Sequence, residues 1–156
     1  MEYSSETTLS TATNTQVIIT THSATIVKEL GFDNIRIIRM DETHKVIENT
    51  LPNQLPYPSL NEVNYLAFSE ISEEYHNELY GYIEEQGLLA SYKHGKPLVQ
   101  YVRVLRDGTT RNDQIAMTEY IRHQIHHPEN TNNVRFNDTD LKNSIEAMRL
   151  FIGSQP

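Results

Sequence analysis

"TQVIITTHSATIVKELGFDNIRIIRMD" (residues 15–41) is the stretch on which the reading of this chain turns. Val17 to Ile19 is a continuous apolar run between polar neighbours. An unbroken run of β-branched residues fits a strand covered on both faces, as in a parallel sheet. The run ends in Thr21, His22 and Ser23, and "SATIVKELG" (23–31) then predicts a short helix. Ser23 can cap its start and Gly31 can end it. "DNIRIIRMD" (33–41) sets Ile35 and Ile37 around Arg36 and predicts a second strand. "HKVIENT" (44–50) predicts its hairpin partner across "DETH". The first fifty residues thus read β–α–β–β, preceded by a Ser/Thr/Asn/Glu-rich start (1–14) expected to be disordered.

Outward from there the pattern changes. "LPNQLPYPS" (51–59) holds three prolines and can be neither helix nor central strand, so 51–58 reads as a linker between a unit at 15–50 and another at 59–156. Ser59 and Glu62 have the spacing of a capping box, opening a helix through Val63, Leu66 and Ala67. "SEEYHNELYGYIEEQGLL" (72–89) predicts a second helix with Tyr75, Leu79, Tyr82 and Ile83 on one stripe and Gly87 at its end. "PLVQYVRVLRDGTTRNDQIAM" (97–117) reads as strand, turn and strand. "TEYIRHQIHH" (118–127) predicts a helix capped by Thr118 and stopped by Pro128. "NDTDLKNSIEAMRLFI" (137–152) predicts another, capped by Asp138 or Thr139, with Leu141, Ile145, Met148 and Ile152 as its apolar stripe. The expected class is α+β: a short sheet remnant, then an α-rich, roughly four-helix domain carrying a small β-hairpin.

The 156 residues carry a formal net charge of −8, which argues against broad electrostatic binding of nucleic acid. A small local basic site is compatible with it. Hydrophobic residues make up 37%, so the core is expected to be modest or shared with a partner. The sequence has no cysteine, hence neither a disulfide framework nor a thiolate metal site. No apolar run is long enough to span a bilayer, and the first residues lack the basic and apolar regions of a secretory signal. A cytoplasmic location is the default expectation.

Two segments carry chemistry. Where a buried strand runs into a helix in an open α/β sheet, ligands sit at the strand's carboxyl end. His22 there could face a γ-phosphate or an attacking water, or it could only satisfy loop backbone groups. "VIITTHSATIVKEL…DNIRIIR" resembles the end of the ATPase domain in ABC-type and OLD-family AAA ATPases of prokaryotic anti-phage systems. The resemblance covers about a quarter of the chain. It implies a strand ending in a nucleotide-sensing switch histidine, His22, flanked by Thr21 and Ser23. The rest of that machinery has no counterpart here: there is no GxxxxGK[ST] loop, no strand ending in Asp-Glu and no signature segment. The chain would therefore bind or hydrolyse ATP only together with partner ATPase elements. It looks like the C-terminal part of such an ATPase, with edges that favour association and an oligomer.

The second segment is "YIRHQIHHPEN" (120–130), in which Arg122 and His127 have the spacing R-x4-H. This resembles the motif of four-helix HEPN ribonucleases, which cleave RNA without a metal. Attack by a 2′-OH requires a base and a cation for the developing phosphorane charge. Histidine titrates near neutrality, and arginine offers a fixed charged fork. On a helix Arg122 and His126 align, whereas His127 lies about a further 100° round. His123 reads as a spacing residue. "EEYHNELY" supplies His76 and Glu78 as support candidates from an earlier helix. The order, ATPase tail then helices with R-x4-H, looks like ATPase-linked anticodon nucleases, which implies RNA, tRNA in particular, as a partner. The plain alternatives are a surface helix whose imidazoles bond carbonyls and carboxylates, a solvated "EEYHNELY" face, and tyrosines that edge the core. A zinc site from His123, His126 and His127 is disfavoured because neighbouring histidines point different ways, so no bound metal is expected. Whether the chain is an enzyme stays open at this level; the alternative to a nuclease is a non-catalytic interaction or dimerisation module of an ATPase complex.

Overall fold

A computed structural model describes residues 17–30, 34–49, 55 and 59–155. The polar start at 1–14, Gly31 and most of the proline-rich linker lie outside the described residues. The class is α+β, with two separate two-stranded antiparallel sheets. In the first, β1 (Arg36–Asp41) pairs with β2 (His44–Asn49), setting Ile38 opposite Ile47 and Met40 opposite Lys45. The reversal sits on Glu42 at φ 47°. Strand alternation turns Ile37 inward. It joins Ile35, Val27 of α1 (Ala24–Glu29), and Val63 and Leu66 of α2 (Leu60–Phe68) in a small apolar cluster.

The strand expected at Val17–Ile19 is not formed: residues 17–23 are neither helix nor strand, and Ile18 is 81% exposed. A parallel strand needs a neighbour at its edge and layers on both faces. The hairpin is antiparallel, its inner face is taken by α1 and α2, and no third strand joins it among the described residues. Where a P-loop sheet remnant was expected, the described residues form a helix and an antiparallel hairpin. Ser23 also makes no side-chain cap, and α1 closes at Leu30.

The second body holds α3 (Glu73–Glu85), α4 (Leu89–Lys93), β3 (Leu98–Val104), β4 (Thr110–Ala116), α5 (Met117–His126) and α6 (Asp138–Gly153). Ser59 and Ser72 cap α2 and α3 by accepting from the backbone N–H of Glu62 and Tyr75. Gly87, at φ 70°, ends α3: its N–H reaches Glu84 O and that of Leu88 reaches Ile83 O, closing the paired-bond terminus that only a left-handed residue completes. Two expected caps were displaced. Ala116 stands at the start of α5, because the Thr118 hydroxyl is drawn into the core, and Asn137 with Asp140 forms the capping box of α6. The short α4 follows a stretch with little periodicity and was not foreseen. The main core gathers Tyr75, Leu79, Ile83, Ile121, Ile145 and Met148, all at or near zero exposure. Among the described residues no helix is long and apolar enough to cross a membrane.

α2 belongs to both apolar clusters. Its Val63 and Leu66 face the hairpin, while Tyr65 packs against both clusters. Glu62, fully buried, meets Arg149 of α6 at 3.4 Å, and Arg149 also donates to Tyr75 Oη of α3 and lies over the Tyr65 ring. Burial, with the Glu62 charge second, pushes the Tyr75 hydroxyl far up, so it stays protonated. Removing one partner of a buried ion pair strands the other charge in a poor solvent. Arg149→Met is expected to lower stability by about 3 kcal/mol in urea unfolding, and adding Glu62→Leu to recover most of it. A loss below about 1 kcal/mol would show that the pair does not hold α2 to α6.

Candidate functional site

The residues singled out from sequence fall into three separate places. His22 is exposed on the irregular segment before α1, and Thr21 Oγ1 accepts the Ser23 backbone N–H at 3.0 Å, a local turn bond. His22 therefore has no strand end to project from in this chain.

The second place is the contact between α3 and α5. Tertiary packing turns Arg122 inward: its guanidinium lies 4.4 Å over the Tyr80 ring, donates to Asn77 Oδ1 at 3.4 Å and stands 3.7 Å from Glu84. Burial pushes the Tyr80 hydroxyl up to about 12, with the charges of Glu119 and Glu84 adding to it. His76, next to Asn77, is completely buried. Its Nε2 lies 3.0 Å from Ser144 Oγ; Ser144 donates to Thr118 Oγ1 at 2.9 Å, and Tyr92 Oη meets the same Thr118 oxygen at 2.9 Å. This hydroxyl chain crosses α3, α6, α5 and α4 inside the core. With Ser144 donating onward, a proton on Nε2 completes the chain, and Nδ1 is buried with no partner among the described residues. Burial first, and the Arg122 charge second, pull the His76 pKa down to about 3. A neutral, inaccessible imidazole cannot shuttle protons with solvent; His76 is a positioning group of the core.

Glu78, also on α3, points away from Arg122. It accepts from Ser59 Oγ at 2.6 Å and Asn61 Nδ2 at 3.3 Å, tying the start of α2 to α3. With Leu55, Asn77, Gly81, Tyr82, Glu85 and Gln86 it lines an open groove of about 500 Å³. The carboxylates give that groove the wrong sign for phosphate.

The third place is the carboxyl end of α5. His126 is exposed. His127 closes the helix, faces solvent and lies 3.3 Å from Glu129 Oε1. Five residues from Arg122, it stands about 140° round the helix, and its ring lies instead 6.3 Å from that of His123. Pro128 does not bring His127 round to Arg122, and the described contacts join neither His126 nor His127 to the arginine. The late histidine with the most contacts is His123, the one read as a spacer. It stacks on Tyr101 at 5.1 Å, takes an Arg103 N–H at 3.0 Å and lies 3.7 Å from Glu119. Burial, then Arg103, lowers its pKa. Asp113 is bound at 2.7 Å both by Arg111, two residues away on β4, and by Arg103 from across the β3–β4 pair, and these two bonds hold its carboxyl well below its usual range. The segment after α5 is clamped to this hairpin. Asn133 donates to Val102 O and accepts its N–H, and Asn130 reaches Val102 O and Tyr101 Oη. Among the described residues no group of three or more His, Asp or Glu could hold a metal ion.

Neither a protein-family model, nor a curated protein, nor a solved structure matches the chain. Chemistry must therefore be read from the geometry alone. The Ser144–Thr118–Tyr92 chain escaped the sequence reading, although one signal existed: Ser144 sits beside Ile145 and three residues after Leu141, a polar residue at the edge of an apolar stripe. Nothing in sequence pairs Arg103 with Asp113, since their meeting depends on strand register.

The buried imidazole has a consequence in solution. The unfolded chain takes up a proton on His76 near pH 6.5, whereas the folded chain refuses it until about pH 3. Stability is therefore complete above about pH 6.5 and is lost as pH falls, by up to about 1.4 kcal/mol per pH unit from this residue. Urea midpoints between pH 7.5 and 5 should show that slope, and His76→Asn should flatten it at a cost in stability. An unchanged slope in the variant would place His76 in contact with water.

Proposed function

We propose that this chain is a non-catalytic docking module of a P-loop ATPase complex, bound to its partner through the N-terminal hairpin unit. One observation carries the reading. The hairpin's outer face leaves Ile38, Met40 and Ile47 at 58%, 63% and 71% exposure, and Ile18 is more exposed still. A clustered set of large apolar side chains on a two-stranded sheet, in a chain whose β-branched run at Val17–Ile19 is exposed as well, asks for cover from outside. The resemblance of "VIITTHSATIVKEL…DNIRIIR" to the end of an OLD- or ABC-type ATPase domain supplies the partner class. On this reading ATP belongs to the partner, and His22 approaches the nucleotide only when Val17–Thr20 takes its place as a strand in the partner's sheet.

The test is co-expression with the P-loop ATPase encoded beside this gene. A stoichiometric complex is expected, with ATP turnover absent from the chain alone, and His22→Ala should slow turnover without dissolving the complex. Lack of such a neighbour, or two proteins that elute separately, would sink the reading.

A second reading, a metal-independent ribonuclease, is favoured by the openness of His126 and His127 to solvent at the end of α5. It requires RNA binding to bring a phosphate between these histidines and Arg122. If it holds, His127→Ala and Arg122→Ala each reduce tRNA cleavage by at least about a hundredfold, the usual span of a general acid or base. Cleavage equal to that of the unsubstituted chain eliminates it.

A further inference from the structure

The β3–β4 pair has two outer edges, and the chain treats them differently. An edge strand presents a row of backbone N–H and C=O groups that another strand can take up. On β3 the Val102 N–H donates to Asn133 Oδ1 at 2.8 Å, and Val102 O accepts from Asn133 Nδ2 at 3.0 Å and from Asn130 Nδ2 at 2.8 Å. Side-chain amides thus stand where a neighbouring strand would. The same bonds fix the parity of the ladder. In an antiparallel pair, opposite residues either exchange both backbone bonds or both turn them outward. Val102 turns outward; so, therefore, does Asn112 opposite it, and by alternation Thr110 and Gln114. The bond from Leu105 N–H to Thr109 O at 2.8 Å gives the same parity from the turn. Thr110, Asn112 and Gln114 are exposed, and no bond to their outward backbone groups occurs among the described residues. The edge of β3 is covered, and that of β4 is bare.

We infer that β4 pairs along this edge with β4 of a second copy of the chain, antiparallel about a two-fold axis at Asn112, to give a four-stranded sheet across a dimer. Charge complementarity selects the occupant and the register. Two-fold symmetry in a continuous sheet keeps the inner face, marked by Tyr101, Arg103, Arg111, Asp113 and Ile115, on the same side in both copies, so the axis falls on a residue. Centred on Arg111, the pairing sets Arg111 against itself; centred on Asp113, it sets Asp113 against itself. Centred on Asn112, it sets Arg111 opposite Asp113 of the second copy, twice over, and Thr110 opposite Gln114. The pairs at Thr110, Asn112 and Gln114 then exchange about six backbone bonds. The charged pairs fall at the alternate positions, where opposite Cα atoms come within about 4.5 Å and side chains are closest. In the single chain Asp113 holds both Arg103 and Arg111. The Arg111 side chain, 60% exposed, can exchange its bond within β4 for Asp113 of the second copy, while Arg103 stays in place. Such an exchange fixes register more than it adds affinity. The inference uses neither the β1–β2 hairpin nor the docking reading above.

Sedimentation of the full chain between about 1 μM and 1 mM tests this. A reversible dimer is expected, with amide exchange at Thr110, Asn112 and Gln114 slowing as concentration rises. Asn112→Pro removes an outward N–H and no bond to β3, a change that edge strands accept, and should weaken the dimer at least about tenfold. Arg111→Glu sets an acid against Asp113 of the other copy. It should weaken the dimer about tenfold at low salt, and the gap to the unsubstituted chain should close near 1 M salt, where the screening length falls to about 3 Å. Arg111 is exposed, so this variant decides the matter even if the proline unfolds β4. Ile47→Thr, on the open face of the other hairpin, should leave the dimer unchanged. A chain monomeric up to about 1 mM, a dimer indifferent to Arg111→Glu or to a folded Asn112→Pro, or a dimer dissolved by Ile47→Thr would each overturn the inference.

Discussion

The Glu62–Arg149 pair is the interaction on which the arrangement of the molecule depends. It joins α2 to α6 in a place from which water is excluded, with Tyr75 of α3 as a third member. α2 is the helix that also carries Val63 and Leu66 into the hairpin's cluster. Whatever orients α2 therefore orients the N-terminal unit on the helical body. Apolar packing alone is tolerant of sliding, whereas a buried charge has one place where it is compensated. Glu78, taking Ser59 Oγ and Asn61 at the start of the same helix, adds a second polar restraint.

The same economy of polar groups explains why the expected nuclease site does not come together in the folded chain. Arg122 spends its guanidinium on Tyr80, Asn77 and Glu84, and His76 spends Nε2 on Ser144. Both hold α3 against its neighbours. His126 is the last residue of α5 and His127 closes it, where the loop to α6 turns towards β3 and is pinned there by Asn130 and Asn133. The helix period sends position 127 away from position 122, and the clamp on β3 keeps it there. Open to solvent at the other end of the chain is the apolar hairpin face of Ile38, Met40 and Ile47.

Local signals in the sequence carried far in this protein. Ser59 and Ser72 cap the helices they precede, Gly87 ends α3, and the 3.6-residue stripe of Leu141, Ile145, Met148 and Ile152 is the buried side of α6. Each depends on neighbours within one or two turns, which a sequence displays directly. The turn in "DETH" and the β3–β4 pair are local for the same reason. The candidate site was less legible. Thr118 looks like a cap, but the hydroxyls of Ser144 and Tyr92 arrive from other helices and draw it inward. His123 looks like a spacer, but β3 brings Tyr101 and Arg103 against it.

Val17 to Ile19 shows where the boundary lies. The sequence by itself determined that this run is apolar, β-branched and suited to a strand, and it determined the longer helices, the stop of α3 at Gly87 and the two hairpins, because those features need only contiguous residues. Tertiary structure alone decided that the run has no sheet to join here, that Arg122 and His76 face inward while His126 and His127 face out, and that Glu62 closes on Arg149 across 87 positions. A strand exists only where another strand offers its edge, and a polar side chain's role is set by which partner reaches it once the chain has folded.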